Sequence, residues 1–411
     1  MSSNFIIYIL IIFLSVEIII ISLVLWLKKD FQWLIISTDE NITIPTSNIK
    51  KFIKENYDEK LGWDRKPNIS KLEKVIGFGE YNKLADTTEY NINLDSERYN
   101  PGHENLDKKI ITYGDSYTFC RHVNDNETWQ WFLSEHTKTN VVNRGVGNYG
   151  LDQACLKMSN TITEYEDSAE TVIMTVVPET IVRIVNVWKH FYEHGNILGF
   201  KGRYFYNDKV LSWSDCIAKE VFIDGNKEWR KKVKKLDFCY EAKFKKDAIR
   251  FPFTLSLLMN YERNAKLIYF LFKKQVIKIF GLKNKNHNEA WNHVMKCNHK
   301  FSTSLYENDE ISNLLRAIVL QYAENSKGRG LKPIFVIIPY LEDMKSNKSG
   351  ELCYSHILKK ISKDLVTIDM GETFMKEKNI NKLYVSDSIG AHLSKIGNKI
   401  VADKIKNTLG L

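Results

Sequence analysis

Five short, almost wholly apolar segments alternate with helical patterns along this chain, and this alternation limits the fold more than any other feature. The segments are Lys108–Tyr113, Asn140–Arg144, Thr171–Val177, Pro333–Tyr340 and Leu365–Met370. Apolar residues at helical spacing occur in Glu127–His136, from Leu151 onward, and in Ile311–Asn325, Tyr354–Asp364 and Ser394–Leu409. Strands that are apolar throughout are typical of a parallel sheet covered on both faces. The sequence therefore predicts an α/β protein, a flavodoxin-like three-layer sandwich whose five parallel strands lie in the order 2-1-3-4-5.

The N-terminal segment, residues 5–27, is apolar except for Ser15, Glu17 and Ser22. At about 1.5 Å per residue it is long enough to cross a bilayer core of roughly 30 Å. No basic side chain precedes it, and its last residues make a poor cleavage site. We therefore interpret it as a single-pass membrane anchor rather than a signal peptide. Glu17 either pairs with a partner helix or enters the membrane as a protonated or snorkelled carboxylate.

The net charge of +9 comes from one part of the chain. Residues 201–300 contain 23 Lys and Arg against 10 Asp and Glu, and they interrupt the α/β pattern. We expect residues 191–305 to form a basic helical insert between the two halves of the α/β domain, 108–190 and 306–411. Residues 28–107 are expected to pack on this domain as a cap.

One part of the insert, Leu255–Phe280, has apolar residues at helical spacing together with four lysines: Lys266, Lys273, Lys274 and Lys278. Such a helix either lies in a membrane interface, with its lysines at anionic headgroups, or packs its apolar face on the neighbouring domain. No recognised motif favours a nucleic-acid partner. The six cysteines form no CxxC pair, so zinc and redox motifs are not indicated, and we expect no cofactor or metal.

Two motifs at opposite ends of the α/β pattern carry candidate chemistry. Gly114-Asp115-Ser116 follows the first predicted strand, at the sheet edge where open α/β proteins bind ligands. His392 lies just before the last helix, and Asp387 precedes it by five residues. Serine, acid and histidine in this chain order can form a nucleophile, an orienting carboxylate and a base. We therefore predict Ser116 as the nucleophile, His392 as its base and Asp387 as the acid.

The glycine-rich loop Gly145–Gly150 follows the second predicted strand and should reach the same sheet edge. Attack by a serine on an acyl group creates an oxyanion that needs hydrogen-bond donors. We expect these donors to be the backbone amide of Ser116 and an amide of this loop, at Gly145 or Gly147. The Asn148 side chain is a further candidate.

At these motifs the chain resembles the SGNH (GDSL-type) hydrolase superfamily. Residues 113–119 (YGDSYTF) are similar to its nucleophile block, residues 143–150 (NRGVGNYG) to its second block, and residues 387–397 to its last block. The second block contains a glycine that supplies an oxyanion-hole amide, and the last block contains the base and its acid. Residues 151–153 and 177–180 also resemble a bacterial, membrane-anchored subgroup often found with surface-polysaccharide gene sets.

The resemblance covers about 108–190 and 311–411, and it implies a catalytic domain outside the cytoplasm. Lys28 and Lys29, which follow the apolar segment, instead favour a cytoplasmic domain. The sequence leaves this orientation open.

Two departures from the family pattern bear on the chemistry. The third block of the family has an asparagine that donates to the oxyanion, whereas residues 175–179 (TVVPE) have none, so Asn148 is our replacement donor. The family acid usually precedes the histidine by three residues, whereas Asp387 precedes it by five. Asp369, after the fifth strand, is therefore an alternative acid.

Three functions are compatible with these residues. The first is a serine esterase that removes acyl groups from a glycan or a lipid-linked sugar through an acyl-enzyme on Ser116. The second is an O-acyltransferase that uses the same triad to modify a surface polysaccharide. The third is a non-catalytic, membrane-tethered glycan-binding or assembly protein. The sequence does not indicate an oligomeric state.

Overall fold

The structure is a computed structural model that describes residues 3–28, 42–74, 87–225, 228–281, 289–346, 351–386 and 389–410. The strands of these residues are β1 Tyr57–Asp58, β2 Gly62–Trp63, β3 Ile69–Lys74, β4 Thr87–Ile92, β5 Ile110–Gly114, β6 Val141–Asn143, β7 Thr171–Val176, β8 Arg203–Asn207, β9 Val210–Ser214, β10 Lys332–Ile337 and β11 Val366–Asp369.

The helices of the same residues are α1 Ser3–Lys28, α2 Thr46–Glu55, α3 Ser116–Phe119, α4 Trp129–Thr137, α5 Leu151–Thr161, α6 Thr180–Arg183, α7 Ala218–Phe222, α8 Trp229–Leu236, α9 Lys245–Asp247, α10 Phe253–Met259, α11 Tyr261–Ile279, α12 Glu289–Ser304, α13 Asp309–Lys327, α14 Leu341–Ser346, α15 Ser355–Ile361, α16 Met370–Phe374 and α17 Lys395–Leu409. Several of these are single turns that close loops at the ends of strands.

The chain divides into two units, which we name by their content. The sheet unit contains residues 50–187, 200–227 and 302–411, and the helical unit contains residues 1–49, 188–199 and 228–301. This division differs from the predicted single insert 191–305. Residues 200–227 contain the β8–β9 hairpin and belong to the sheet unit, where the amide of Lys201 donates to the carbonyl of Val187 at 3.0 Å.

The core of the sheet unit is a five-stranded parallel sheet in the order β11-β10-β7-β5-β6. Numbered along the chain, this is the order 2-1-3-4-5, so the predicted topology is confirmed. Every residue of β5, β6 and β7 is buried, as expected for strands covered on both faces. Helix α5 packs with α13, and α4 packs with α17, which forms the two outer layers of the predicted three-layer α/β sandwich.

Parts of the predicted cap pack close to the nucleophile turn. Strands β3 and β4 form an antiparallel hairpin, and Tyr90 and Ile92 of this hairpin form an apolar cluster with Phe119 of α3. The buried Arg98 guanidinium donates to Asp125 at 2.9 Å and to the carbonyl oxygens of Phe119, Cys120 and Val123. These contacts attach the cap to the backbone that follows Ser116.

In the helical unit, α1 contains Asn4–Leu27, which is long and apolar enough to cross a membrane. The single helix expected over Leu255–Phe280 is instead two helices, α10 and α11, separated at Asn260. The side chain of Asn260 donates to Asp247 at 2.6 Å, and its backbone is not helical. The hydrogen bond to Asp247, thirteen residues earlier in the chain, holds Asn260 at this break between the two helices.

Candidate active site

Ser116 lies on a tight turn at the carboxyl end of β5. Gly114 has a φ of +149°, and a Cβ at this position would lie 1.9 Å from the carbonyl oxygen of Thr175, so only glycine fits. Asp115 then caps α3 by accepting from the amide of Tyr117 at 2.8 Å. Its second oxygen accepts from the amide of Val177 at 2.9 Å. The turn that presents Ser116 is therefore connected to the loop after β7.

The structure brings Ser116 and His392 together. Nε2 of His392 lies 2.8 Å from Oγ of Ser116, although 276 positions separate the residues in the chain. Both residues are buried, with exposed fractions of 7% and 9%. The amide of Val385 donates to the carbonyl of His392 at 2.9 Å, and the Tyr117 hydroxyl donates to the carbonyl of Ala391. These bonds close the loop that presents the imidazole.

The surroundings of His392 favour a neutral ring. Burial lowers its pKa well below the ordinary value, and His122, Arg121 and Arg183 lower it further. The His122 ring meets the His392 ring edge-on at a centroid distance of 4.9 Å. Burial and Arg121 also lower the pKa of His122, to about 4. A neutral imidazole is the form that can accept a proton from serine.

The acid of the predicted triad lies outside the described residues, since these omit Asp387 and Ser388. Nδ1 of His392 is buried and has no hydrogen-bond partner among the described residues. The alternative acid, Asp369, is described and does not contact Nδ1. Its carboxylate accepts from the Tyr354 hydroxyl at 2.8 Å and from the amide of Gly371 at 2.7 Å. Asp369 therefore caps α16, and Asp387 stays the predicted partner of Nδ1.

The glycine-rich loop offers fewer free donors than expected. The amide of Gly145 donates to Oδ1 of Asn143 at 3.0 Å, so this predicted oxyanion donor is already used. A Cβ at Gly145 would lie 2.3 Å from the amide nitrogen of Phe119, so this glycine allows the loop to approach α3. In the described part of the chain, the amides of Gly147 and Asn148 have no acceptor. Asn148 is exposed and has a φ of 67°.

The cap contacts this loop directly, which the sequence did not indicate. The indole of Trp63 donates to the carbonyl of Gly147 at 3.1 Å, and the Tyr149 hydroxyl donates to the carbonyl of Trp63 at 2.7 Å. The Arg65 guanidinium carbon lies 3.2 Å from the centroid of the Phe119 ring, and a Cβ at Gly147 would lie 4.0 Å from its Nη2. The Arg65 cation therefore lies close to Gly147 of this loop.

Arg183 is a buried residue of the site that the sequence analysis missed. It forms an ion pair with Glu179, and its Nη1 lies 3.7 Å from Oδ2 of Asp115. It also donates to the carbonyl of Tyr149 and to the hydroxyl of Tyr340, each at 3.0 Å. Arg183 thus joins the nucleophile turn, the glycine-rich loop and the loop after β7. The spacing of Glu179 and Arg183, four residues apart, was the available signal.

The described residues contain no cluster of three or more His, Cys, Asp or Glu side chains that could hold a metal ion. The residue types that meet at the carboxyl edge of the sheet are a serine, a neutral imidazole and backbone amides. This arrangement can perform nucleophilic attack on an acyl carbon.

No protein-family model and no curated protein matches this chain. Among solved structures, a lipolytic protein of the G-D-S-L family from Desulfitobacterium hafniense matches with 11% identity and a TM-score of 0.31, over 74% of this chain and 99% of that one. An acetyl-xylooligosaccharide esterase from Geobacillus stearothermophilus matches with 12% identity and a TM-score of 0.33, over 76% and 97%.

Proposed function

We propose that the chain is a serine esterase of the SGNH type, with Ser116 as the nucleophile and His392 as the general base. The observation that carries this proposal is the 2.8 Å contact between Nε2 of His392 and Oγ of Ser116. A buried serine–imidazole pair at the carboxyl edge of a parallel sheet has the geometry required for activation of a hydroxyl. The lowered pKa of His392 keeps this base neutral at neutral pH.

In this reaction, Oγ of Ser116 attacks the acyl carbon while its proton moves to Nε2 of His392. The developing oxyanion accepts hydrogen bonds from the amide of Ser116 and from the amides of Gly147 and Asn148, with the Asn148 side chain as a further donor. The proton on Nε2 then moves to the leaving alcohol, and an acyl-enzyme remains. A water molecule then attacks the acyl-enzyme, with His392 accepting its proton and returning it to Oγ of Ser116, and the acid is released. Asp387 holds the proton of His392 on Nδ1.

A fluorophosphonate probe tests the nucleophile. Wild-type protein should be labelled, and Ser116→Ala should not. Ser362→Ala is the matched control, because Ser362 is an exposed serine at the end of α15 whose hydroxyl only donates to the carbonyl of Lys359. Equal labelling of the wild type and Ser116→Ala would contradict the proposal.

We further propose that the acyl group is carried by a glycan or a lipid-linked sugar, and that α1 holds the enzyme at the membrane where such substrates occur. α1 supports this proposal because it is long and apolar enough to cross a bilayer. Incubation with an acylated oligosaccharide, with and without a sugar acceptor, should release free acid. If acylated acceptor accumulates instead, the same triad serves transfer rather than hydrolysis.

The same proposal places the sheet unit on the extracytoplasmic side of the membrane. The positive-inside rule, applied to Lys28 and Lys29, favours the cytoplasmic side instead. A C-terminal reporter fusion measures this orientation. Alkaline phosphatase activity is expected, because that reporter matures outside the cytoplasm. Activity of a cytoplasmic reporter only would reverse the assignment.

A further inference from the structure

Helix α1 has two halves with different surroundings. From Phe5 to Val16 its side chains are exposed, whereas Glu17, Val24 and Leu27 are buried and Ile20 is partly buried. These four residues recur at intervals of three or four, so they lie on one helix face. The apolar members of this face pack against residues of the insert: Ile249, Leu257, Leu267, Leu271, Ala290 and Val294.

The length of α1 decides where this packed half lies. If the part that contacts the insert were outside the bilayer, only residues 5–16 would remain to cross it. At about 1.5 Å per residue they would cover roughly 18 Å of a hydrocarbon core of roughly 30 Å. A single span by α1 therefore requires Glu17–Leu27 to lie at membrane depth as well. The insert residues that pack on this half must then lie there too.

Glu17 connects this half of α1 to the start of α10. Its carboxylate accepts hydrogen bonds from the amides of Phe253 and Thr254, the latter at 2.9 Å. These are first-turn amides of α10, which have no partner within their own helix. In hydrocarbon, an unpaired amide and an unpaired carboxylate are both costly, so the contact removes both penalties. Glu17 lies ten residues before Leu27, about 15 Å along the helix and thus near the middle of the bilayer.

The outer surface of the same segment is apolar. Phe251, Leu255, Leu258, Met259 and Tyr261 have exposed fractions of 62%, 55%, 63%, 53% and 63%. Five large apolar side chains within eleven residues are an unusual surface for water. Helix α10, which carries Leu255, Leu258 and Met259, packs against α1, and the exposed side chains of α1 are also apolar.

We propose that the segment Phe251–Met259 is a re-entrant membrane element, which enters the bilayer beside α1 to the depth of Glu17 and returns through α10. Acyl chains cover the face formed by Leu255, Leu258 and Met259. The exposed Lys266 and Lys278 of α11, which packs at the Leu27 end of α1, then lie at the headgroups. The insert is thereby a second membrane contact of the chain, independent of the proposed esterase activity.

Depth-dependent fluorescence quenching of the full chain in vesicles of phosphatidylcholine and phosphatidylglycerol tests this element. A polarity-sensitive label is attached to Leu258→Cys and, as a matched control, to Val210→Cys in the β8–β9 hairpin, because both parent residues are 63% exposed. The unsubstituted chain measures labelling of the native cysteines. The Leu258→Cys label should be quenched by lipid with a mid-chain nitroxide and protected from aqueous iodide, and the Val210→Cys label should show the reverse.

The proposal is overturned if iodide quenches the Leu258→Cys label as strongly as the control and the nitroxide lipid does not quench it. A second variant tests the role of Glu17. Glu17→Leu in the Leu258→Cys background leaves the amides of Phe253 and Thr254 without their acceptor, so nitroxide quenching should fall and iodide quenching should rise. Circular dichroism establishes that this variant keeps its helices. Unchanged quenching in a variant that keeps its helices would reject the anchoring role of Glu17.

Discussion

The Ser116–His392 pair permits a quantitative prediction for His392→Gln. Glutamine retains a polar side chain near Oγ of Ser116 but cannot act as a base. Both residues are more than nine-tenths buried, so bulk water has little access to replace the imidazole. Loss of the base in serine hydrolases costs about 10⁴–10⁶ in kcat, which corresponds to roughly 5–8 kcal/mol at about 1.4 kcal/mol per tenfold. We expect a loss of this size in kcat/KM for an aryl ester.

The assay compares wild type, Ser116→Ala, His392→Gln and the double variant, with His136→Gln as the control. His136 lies on α4, where its Nε2 is 2.9 Å from Oδ1 of Asp403, and its replacement should leave kcat/KM unchanged. Because nucleophile and base act as one unit, the double variant should lose no more than either single variant. Two results would refute the reasoning: His392→Gln within tenfold of wild type, or losses that multiply in the double variant.

Three further outcomes follow from the geometry. Because burial lowers the pKa of His392, the imidazole stays neutral to lower pH, and the acid limb of the pH profile of kcat/KM should lie below pH ~6.5. Arg121→Gln removes a nearby positive charge, which should raise the pKa of His392 and shift this limb to higher pH. Asn148→Gly keeps the amide and the positive φ but removes the side chain, so kcat should fall about 10²–10³-fold if that side chain donates to the oxyanion, and an unchanged kcat would exclude it. Arg183→Met leaves buried carboxylates without their cation and should cost about 3–5 kcal/mol in urea unfolding, whereas Arg316→Met, at an exposed ion pair, should cost ~0–1 kcal/mol.

The site shows which kinds of contact sequence patterns reveal. The sequence singled out Ser116 and His392 because each belongs to a local motif at the end of a predicted strand or loop, and the structure places their side chains 2.8 Å apart. Arg183 was missed because three of its four partners, Asp115, Tyr149 and Tyr340, lie in segments remote in sequence, and Glu179 alone is close to it in the chain. For Gly145, the sequence suggested a donor to the oxyanion but did not indicate the contacts that the residue makes in the structure. Its amide is used by Asn143, and its missing side chain is what allows the close approach to Phe119.

The helical insert shows the same limit at the level of an element. The apolar spacing over Leu255–Phe280 predicted helix correctly on both sides of Asn260. It did not predict the break at Asn260, because a hydrogen bond to Asp247, formed only in the folded chain, stabilises that break. The sequence also left two interpretations of Glu17. The structure pairs its carboxylate with the first amides of α10, a helix whose position near α1 depends on the packing of the whole unit.

Periodicity and strand composition were sufficient for the α/β class and the strand order, because buried parallel strands and right-handed crossovers allow few alternatives. They were also sufficient for the apolar span of α1, since length and hydropathy are properties of the segment alone. Only the tertiary structure determined which amides of the glycine-rich loop are free, which carboxylates the Arg183 guanidinium pairs with, and which amides Glu17 contacts. Each of these depends on distances between segments remote in sequence, which packing sets and local preference does not.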